Sequence, residues 1–182
     1  MARFVRRWNK RGGRAVSTLD RVIIKNSATV KVGGFVLLSS GFASPATAGA
    51  AIYGLCVGIV TQLDIPLDSR TADSSLVYDG TFVAGVNGSY AAASNNQTVK
   101  KICAQIDITP DLVVSSAPDA AIGTTTGSDL KGNYTDLVDD ITVDENNNGN
   151  SFTASAQLSI LGVDPQNSAN GLYAIHERQM TA

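Results

Sequence analysis

Histidine occurs once in this 182-residue chain, at His176, and cysteine only twice, at Cys56 and Cys103. So thin a supply leaves no metal-ligand spacing and no disulfide framework, and the two cysteines, far apart in apolar runs, read as buried free thiols rather than a pair. Charge is also scarce, at 16% of residues against the usual quarter or so. Neutral Gly, Ala, Ser, Thr and Asn fill the gap, which suits a β protein that packs against neighbours better than one built for solubility alone. No apolar run reaches the roughly 18 residues of a membrane-spanning helix. The basic start is not followed by a signal-peptide core, and a transit peptide over residues 1–19 is the other reading of its Arg-rich, acid-poor composition. Catalytic signatures are missing as well. No G-x-S-x-G elbow accompanies His176, which reads as structural or surface. No G-x-G-x-x-G occurs, and Gly123, Gly127 and Ser128 lack the lysine of a phosphate loop.

What is present centres on residues 29–61. Two apolar runs, 35–38 and 52–60, flank a segment of small residues and turn formers: Ser39, Ser40, Gly41, Ser44, Pro45 and Gly49. Short β-branched runs bounded by Gly and Pro predict buried strands. Gly54 and Gly58 argue against helix, where each costs about 1 kcal/mol relative to Ala, and mark bulges or close backbone contacts. The expectation is a strand, a loop and a returning strand.

Elsewhere the chain reads as many short strands. Residues 21–25 and 28–31 lead into the central stretch, and 62–73 form a loop. Asp79 and Gly80 carry a type I′ turn signal that predicts a hairpin over 76–86, and 87–97 is an Asn-rich surface loop. Residues 98–108 alternate, with Ile102, Ala104, Ile106 and Ile108 on one face and Cys103, Gln105 and Asp107 on the other. Residues 110–132 are turn-rich. Tyr134, Leu137 and Val138 stand at helical spacing and predict one or two helical turns over 134–140. Residues 152–161 alternate again, with Ala156, Leu158 and Ile160 inward and Gln157 and Ser159 outward. A turn over 163–171 then precedes a last strand at 172–177. The fold class is mainly β: a small β-barrel or β-sandwich with long loops, at most one short helix and an extended N-terminal arm.

Charge divides the chain. Residues 1–31 hold nine Lys and Arg against Asp20 alone, a net of +8, which leaves five against fifteen, or −10, for the rest. Such a basic arm on an acidic body fits contact with another acidic surface, a sister subunit included. Within the arm Arg3, Arg6, Arg7, Lys10, Arg11 and Arg14 fall on one helical stripe beside Phe4 and Trp8. About ten residues are too few for a stable helix in water, so the arm is expected to order on a partner. Its alternative is a solvated basic tail. The domain division is a basic arm at 1–19 and one β-rich domain at 20–182.

Asp136, Asp139, Asp140, Asp144 and Glu145 form the densest acidic patch. Beside an Asn/Gly loop, with little aromatic lining for a sugar, they read as a solvated face or a docking surface for a basic arm rather than an acid–base pair. Asp144, Asn146, Asn148 and Gly149 match the first half of a calcium loop, but Ser155 stands where the bidentate Glu belongs. No metal or other cofactor is expected.

Three segments carry a family resemblance: GGFVLL from Gly33, SGFASPATAG ending at Gly49, and IYGL from Ile52 with VGIV from Val57. They resemble the decoration, or cement, proteins of tailed-bacteriophage heads. Further likeness lies at YDGTF from Tyr78, KKICA from Lys100, IGTTTGS from Ile122 and GVDPQN from Gly162, so that it spans residues 28–175. The basic arm lies outside it. The resemblance implies a β-rich structural protein on the outer surface of the virion capsid that stiffens the shell against internal DNA pressure. It also implies homo-oligomers, trimers or dimers, with the major capsid protein as partner and terminal arms crossing capsomer boundaries. No catalysis follows from it and no membrane partner. On this reading Arg3, Phe4, Arg6, Arg7, Trp8, Lys10, Arg11 and Arg14 form the capsid-binding set. The alternatives are a coat protein whose arm binds nucleic acid inside the shell, which the −10 body makes unlikely away from the arm, or another virion β protein.

Overall fold

The structure is a computed structural model that describes residues 18–25, 28–61, 81–83, 102–109, 112–119, 131–144 and 156–176. Among these residues there is no helix, and the strands are β1 (Leu19–Ile23), β2 (Thr29–Lys31), β3 (Phe35–Ser39), β4 (Phe42–Pro45), β5 (Gly54–Thr61), β6 (Thr81–Val83), β7 (Ile102–Asp107), β8 (Val113–Ser116), β9 (Tyr134–Thr135), β10 (Leu158–Asp164) and β11 (Asn167–Ile175). The chain is mainly β, as its short apolar runs imply.

Five strands form one antiparallel sheet in the order β1-β7-β5-β3-β4, with β2 and β6 pairing separately. The large sheet curls until its edges touch. Ile24, just past β1, bridges Ala43 of β4 in parallel, and the Lys25 amide donates to the Ala43 carbonyl at 2.9 Å. Curling needs a local increase in twist, and a bulge supplies it. The β5–β7 register slips between Cys56 and Gly58, so Cys56 and Ile59 both reach the inner cluster although they stand three residues apart. Val30, Val36, Ala43, Tyr53, Ala104 and Ile106 complete this first core with Ile24. Gly54 answers a tighter demand: a β-carbon there would lie 2.6 Å from the Asp107 carbonyl oxygen.

The second sheet runs β8-β11-β10-β9. It packs on the outer side of the curled one through Leu112, Val114, Leu158, Ile160, Tyr173 and Ile175, which meet Phe35, Ile52 and Leu55. Strands β3 and β5 therefore bury both faces. Phe35 and Leu55 point to the core between the sheets, while their neighbours Val36 and Cys56 point to the inner one. Two-sided burial explains why these strands read as continuous apolar runs rather than alternating ones. Both cysteines are free and buried. The edges are blunt: Pro45 ends β4 without an N–H, and the Asp20 side chain takes the Arg21 amide of β1 at 2.7 Å.

Several expectations need correction. The segment between the two central runs is not only a loop, because it contains β4, paired with β3 through a two-residue turn. Ser40 and Gly41 both adopt positive φ there, 53° and 78°, the twist that such a turn requires. The turn-rich stretch after residue 110 contains β8, all four of whose residues are buried. Residues 134–140 are not helical; Tyr134 and Thr135 pair with β10 and bends follow. The ladder with β10 takes Tyr134 and Thr135, and Asp139 Oδ1 captures the nearby Ile141 N–H at 2.9 Å, a local competitor of helical bonding. The turn expected over 163–171 shrinks to residues 165–166 between β10 and β11, closed by Asp164 Oδ1 accepting the Gln166 amide at 2.9 Å. Strand β1 begins at Leu19, within the stretch expected to be arm. The loops at 62–73 and 87–97, the first arm of the 76–86 hairpin, residues 123–128 and residues 145–155 lie outside the described residues; β6, the other arm of that hairpin, pairs with β2.

Candidate interaction surface

All eight residues expected to bind a partner, Arg3, Phe4, Arg6, Arg7, Trp8, Lys10, Arg11 and Arg14, lie outside the described residues. The point from which the arm starts is defined. The Thr18 carbonyl accepts the Ile108 amide at 2.9 Å, and its own amide donates to Thr109 Oγ1 at 2.8 Å. Thr109 is fixed in turn by Asp107, whose Oδ1 accepts its amide at 3.0 Å and also its hydroxyl. Asp107, on the face of β7 opposite Ile106, is fully buried because this polar knot encloses it. Leu19, the next residue, is 48% exposed. A cationic segment therefore leaves a clamped position beside an exposed apolar side chain.

The acidic patch is less solvated than its composition implies. Asp140 is buried, and Lys31 Nζ stands 3.4 Å from its Oδ1, so one carboxylate already holds a lysine of the basic N-terminal third. Burial pushes the Asp140 carboxyl above the usual range, Lys31 pulls it back and Asp139 pushes it up again. Asp139 and Val138 are exposed. Asp144, the one residue of the calcium-like loop that is described, uses its carbonyl oxygen to accept the Thr135 hydroxyl and donates its amide to Asp136 O at 3.0 Å. Among the described residues no group of three His, Cys, Asp or Glu is placed to hold a metal ion, and no helix is long and apolar enough to cross a membrane.

Gln157 corrects the sequence reading most sharply. Expected to face outward, it is buried and clamps the small-residue loop at 47–50. Its Nε2 donates to Thr47 O at 2.9 Å and to Ala50 O. Its Oε1 accepts the amides of Leu137 at 2.9 Å and Gly49 at 3.2 Å. The loop is thereby held rigid while Thr47, Ala48 and Gly49 stay exposed. Two more polar contacts fasten the fold. The Tyr53 hydroxyl donates to Asp20 Oδ2 at 2.5 Å, and burial with that carboxylate pushes the phenol up to about 12. Ser115 Oγ donates to Asp164 Oδ2 at 2.6 Å and accepts from Asn170 Nδ2 at 3.0 Å. One signal pointed toward the first: Asp20 is the sole acid in the basic third.

His176 packs edge-on against Tyr134, ring centroids 4.4 Å apart, with Nδ1 3.4 Å from Ser159 Oγ. That contact is long for a hydrogen bond, and Ser159 sits within β10, with no sharp turn to lift its hydroxyl. The geometry is that of a packed imidazole.

Four large apolar side chains are exposed among the described residues: Leu19, Val32, Phe42 and Val138. They stand at the arm's origin, in the β2–β3 turn, at the start of β4 and in the acidic bend. No protein-family model, curated protein or solved structure matches this chain.

Proposed function

We propose that this protein is a structural component of a virion, a decoration or cement protein seated on the outer surface of a tailed-phage head. The observation that carries the reading is the segregation of charge: +8 within residues 1–31 against −10 in the remainder, with the arm starting from the clamped Thr18. The head-protein resemblance over residues 28–175 supplies the setting. A rigid β body carrying a cationic, aromatic-bearing leash is suited to attachment. Phe4 and Trp8 fill apolar pockets on the partner, and Arg3, Arg6, Arg7, Lys10, Arg11 and Arg14 pair with its acidic groups or with those of neighbouring copies. Many copies on one shell turn modest contacts into firm attachment. The major capsid protein and sister subunits, as trimers or dimers, are the partners, and no bond is made or broken.

Deleting residues 1–14 tests this directly. Capsid occupancy of the truncated protein falls while its body remains folded by circular dichroism; unchanged occupancy overturns the role of the arm. A second reading keeps the same arm but turns it inward onto nucleic acid, favoured by the density of Arg and Lys in those fourteen residues. It requires retention of DNA or RNA that weakens steeply with salt.

A further inference from the structure

The chain enters the described fold at Thr18 and passes at once into β1, an edge strand of the curled sheet. None of the five residues of β1 is fully buried, and Leu19 at its head is 48% exposed. Apolar packing therefore holds that end weakly, and a strand pulled from a weakly held end opens one rung at a time. Polar side chains supply the hold instead. Thr109, buried just past the end of β7, takes the Thr18 amide on its Oγ1 at 2.8 Å. Its hydroxyl donates to Asp107 Oδ1, which also accepts its amide at 3.0 Å. The Thr18 carbonyl accepts the Ile108 amide at 2.9 Å. Two residues on, Asp20 Oδ2 takes the Tyr53 hydroxyl at 2.5 Å. Asp107 stands opposite Leu19 of β1 on one side and Leu55 of β5 on the other. Through Thr109, Thr18 is thus fastened to the interior of the sheet as well as to its edge.

We propose that Thr109 is the positioning residue of the arm: its hydroxyl pins Thr18, so that a pull on residues 1–14 reaches β7 instead of peeling β1 from its end. The inference rests on the arm being the element that attaches the protein to its partner. A pinned origin also keeps the free tether short and lowers the ordering cost when the arm docks. Threonine suits the task because one hydroxyl accepts from the Thr18 amide and donates to Asp107 at the same time. Valine has the same shape and can do neither.

Three variants of the full chain test this by hydrogen exchange corrected for intrinsic rates. In Thr109→Val, protection of the Ile108 amide should fall severalfold, while that of the His176 amide, bonded to Gln157 O in the other sheet, holds. Thr109→Ser should restore it. Thr18→Pro, which removes the N–H at an exposed position and leaves Asp107 and Thr109 unchanged, should repeat the loss. Ile108 protection that stays at the wild-type level in the Val and Pro variants, or that falls no further than that of His176, overturns the anchor. Release from capsids should be severalfold faster for the same two variants than for wild type, and Thr109→Val should add nothing once residues 1–14 are deleted. Release at the wild-type rate overturns the positioning role. A full chain and its 1–14 deletion that attach alike overturn the attachment reading instead, and the exchange result still decides the anchor.

Discussion

Replacing Gln157 by Leu keeps the side-chain volume and removes four hydrogen bonds at once. The Leu137 amide is buried at that contact, so its loss of a partner costs about 1–3 kcal/mol. The other three groups belong to Thr47, Gly49 and Ala50, which are exposed or half-buried and regain water, so each costs only about 0.5–1.5 kcal/mol. The sum, about 2.5–7.5 kcal/mol, is a large share of the ~5–15 kcal/mol that holds a typical domain folded. Urea unfolding followed by fluorescence and circular dichroism is the assay. The midpoint should fall while the slope is unchanged, because the surface exposed on unfolding is the same. Gln157→Glu should lose at least as much, because it buries a charge and turns a carboxylate oxygen toward Thr47 O and Ala50 O. A Leu variant within about 1 kcal/mol of wild type would refute the idea that this side chain holds the loop.

Gly54→Ala should cost about 2–3 kcal/mol by denaturation, since its β-carbon would meet Asp107 backbone and Ile106 Cγ2, each at 2.6 Å; a neutral substitution would show that β5 and β7 are not so closely apposed. In an alkaline absorbance titration Tyr53 should ionise near 12 rather than 10, and Tyr53→Phe should remove that late component. Its folded pKa is raised, so the stability it contributes is present below about pH 10 and is lost as pH climbs through 12; five tyrosines all ionising together near 10 would contradict this. Burial pushes the Cys56 thiol up to about 12 and Cys103 is buried too, so neither should react with an aromatic disulfide reagent until denaturant is added. Reaction at neutral pH in the native state would count against both placements.

Strands β1, β3, β5 and β7 were legible because apolar, β-branched runs make them, and the glycines of β5 announced a bulge and a close contact. Strands β4 and β8 escaped for a shared reason. Half of each strand is small or hydroxylic (Ala43 and Ser44, Ser115 and Ser116) and each is only four residues long, and Ser115 of β8 is buried only because the distant Asp164 and Asn170 satisfy its hydroxyl. Gln157 stands at a position that alternation assigns to solvent, and nothing local reveals that it meets residues 47–50 more than a hundred positions away. The same distance hides the Lys31–Asp140 pair. The helical spacing at 134–140 misled because β10 draws Tyr134 and Thr135 into its ladder and Asp139 captures the Ile141 amide. Charge segregation, by contrast, is a property of composition along the chain and was readable at once.

Cross-linking of intact purified particles from outside, with a lysine reagent that does not cross the shell, tests the attachment most directly. Lys10 in the arm and Lys25 beside β1 should be joined to the major coat subunit or to a second copy of this chain. If the protein is absent from particles, or is labelled only after the shell has been broken open, its place on the outer surface is contradicted.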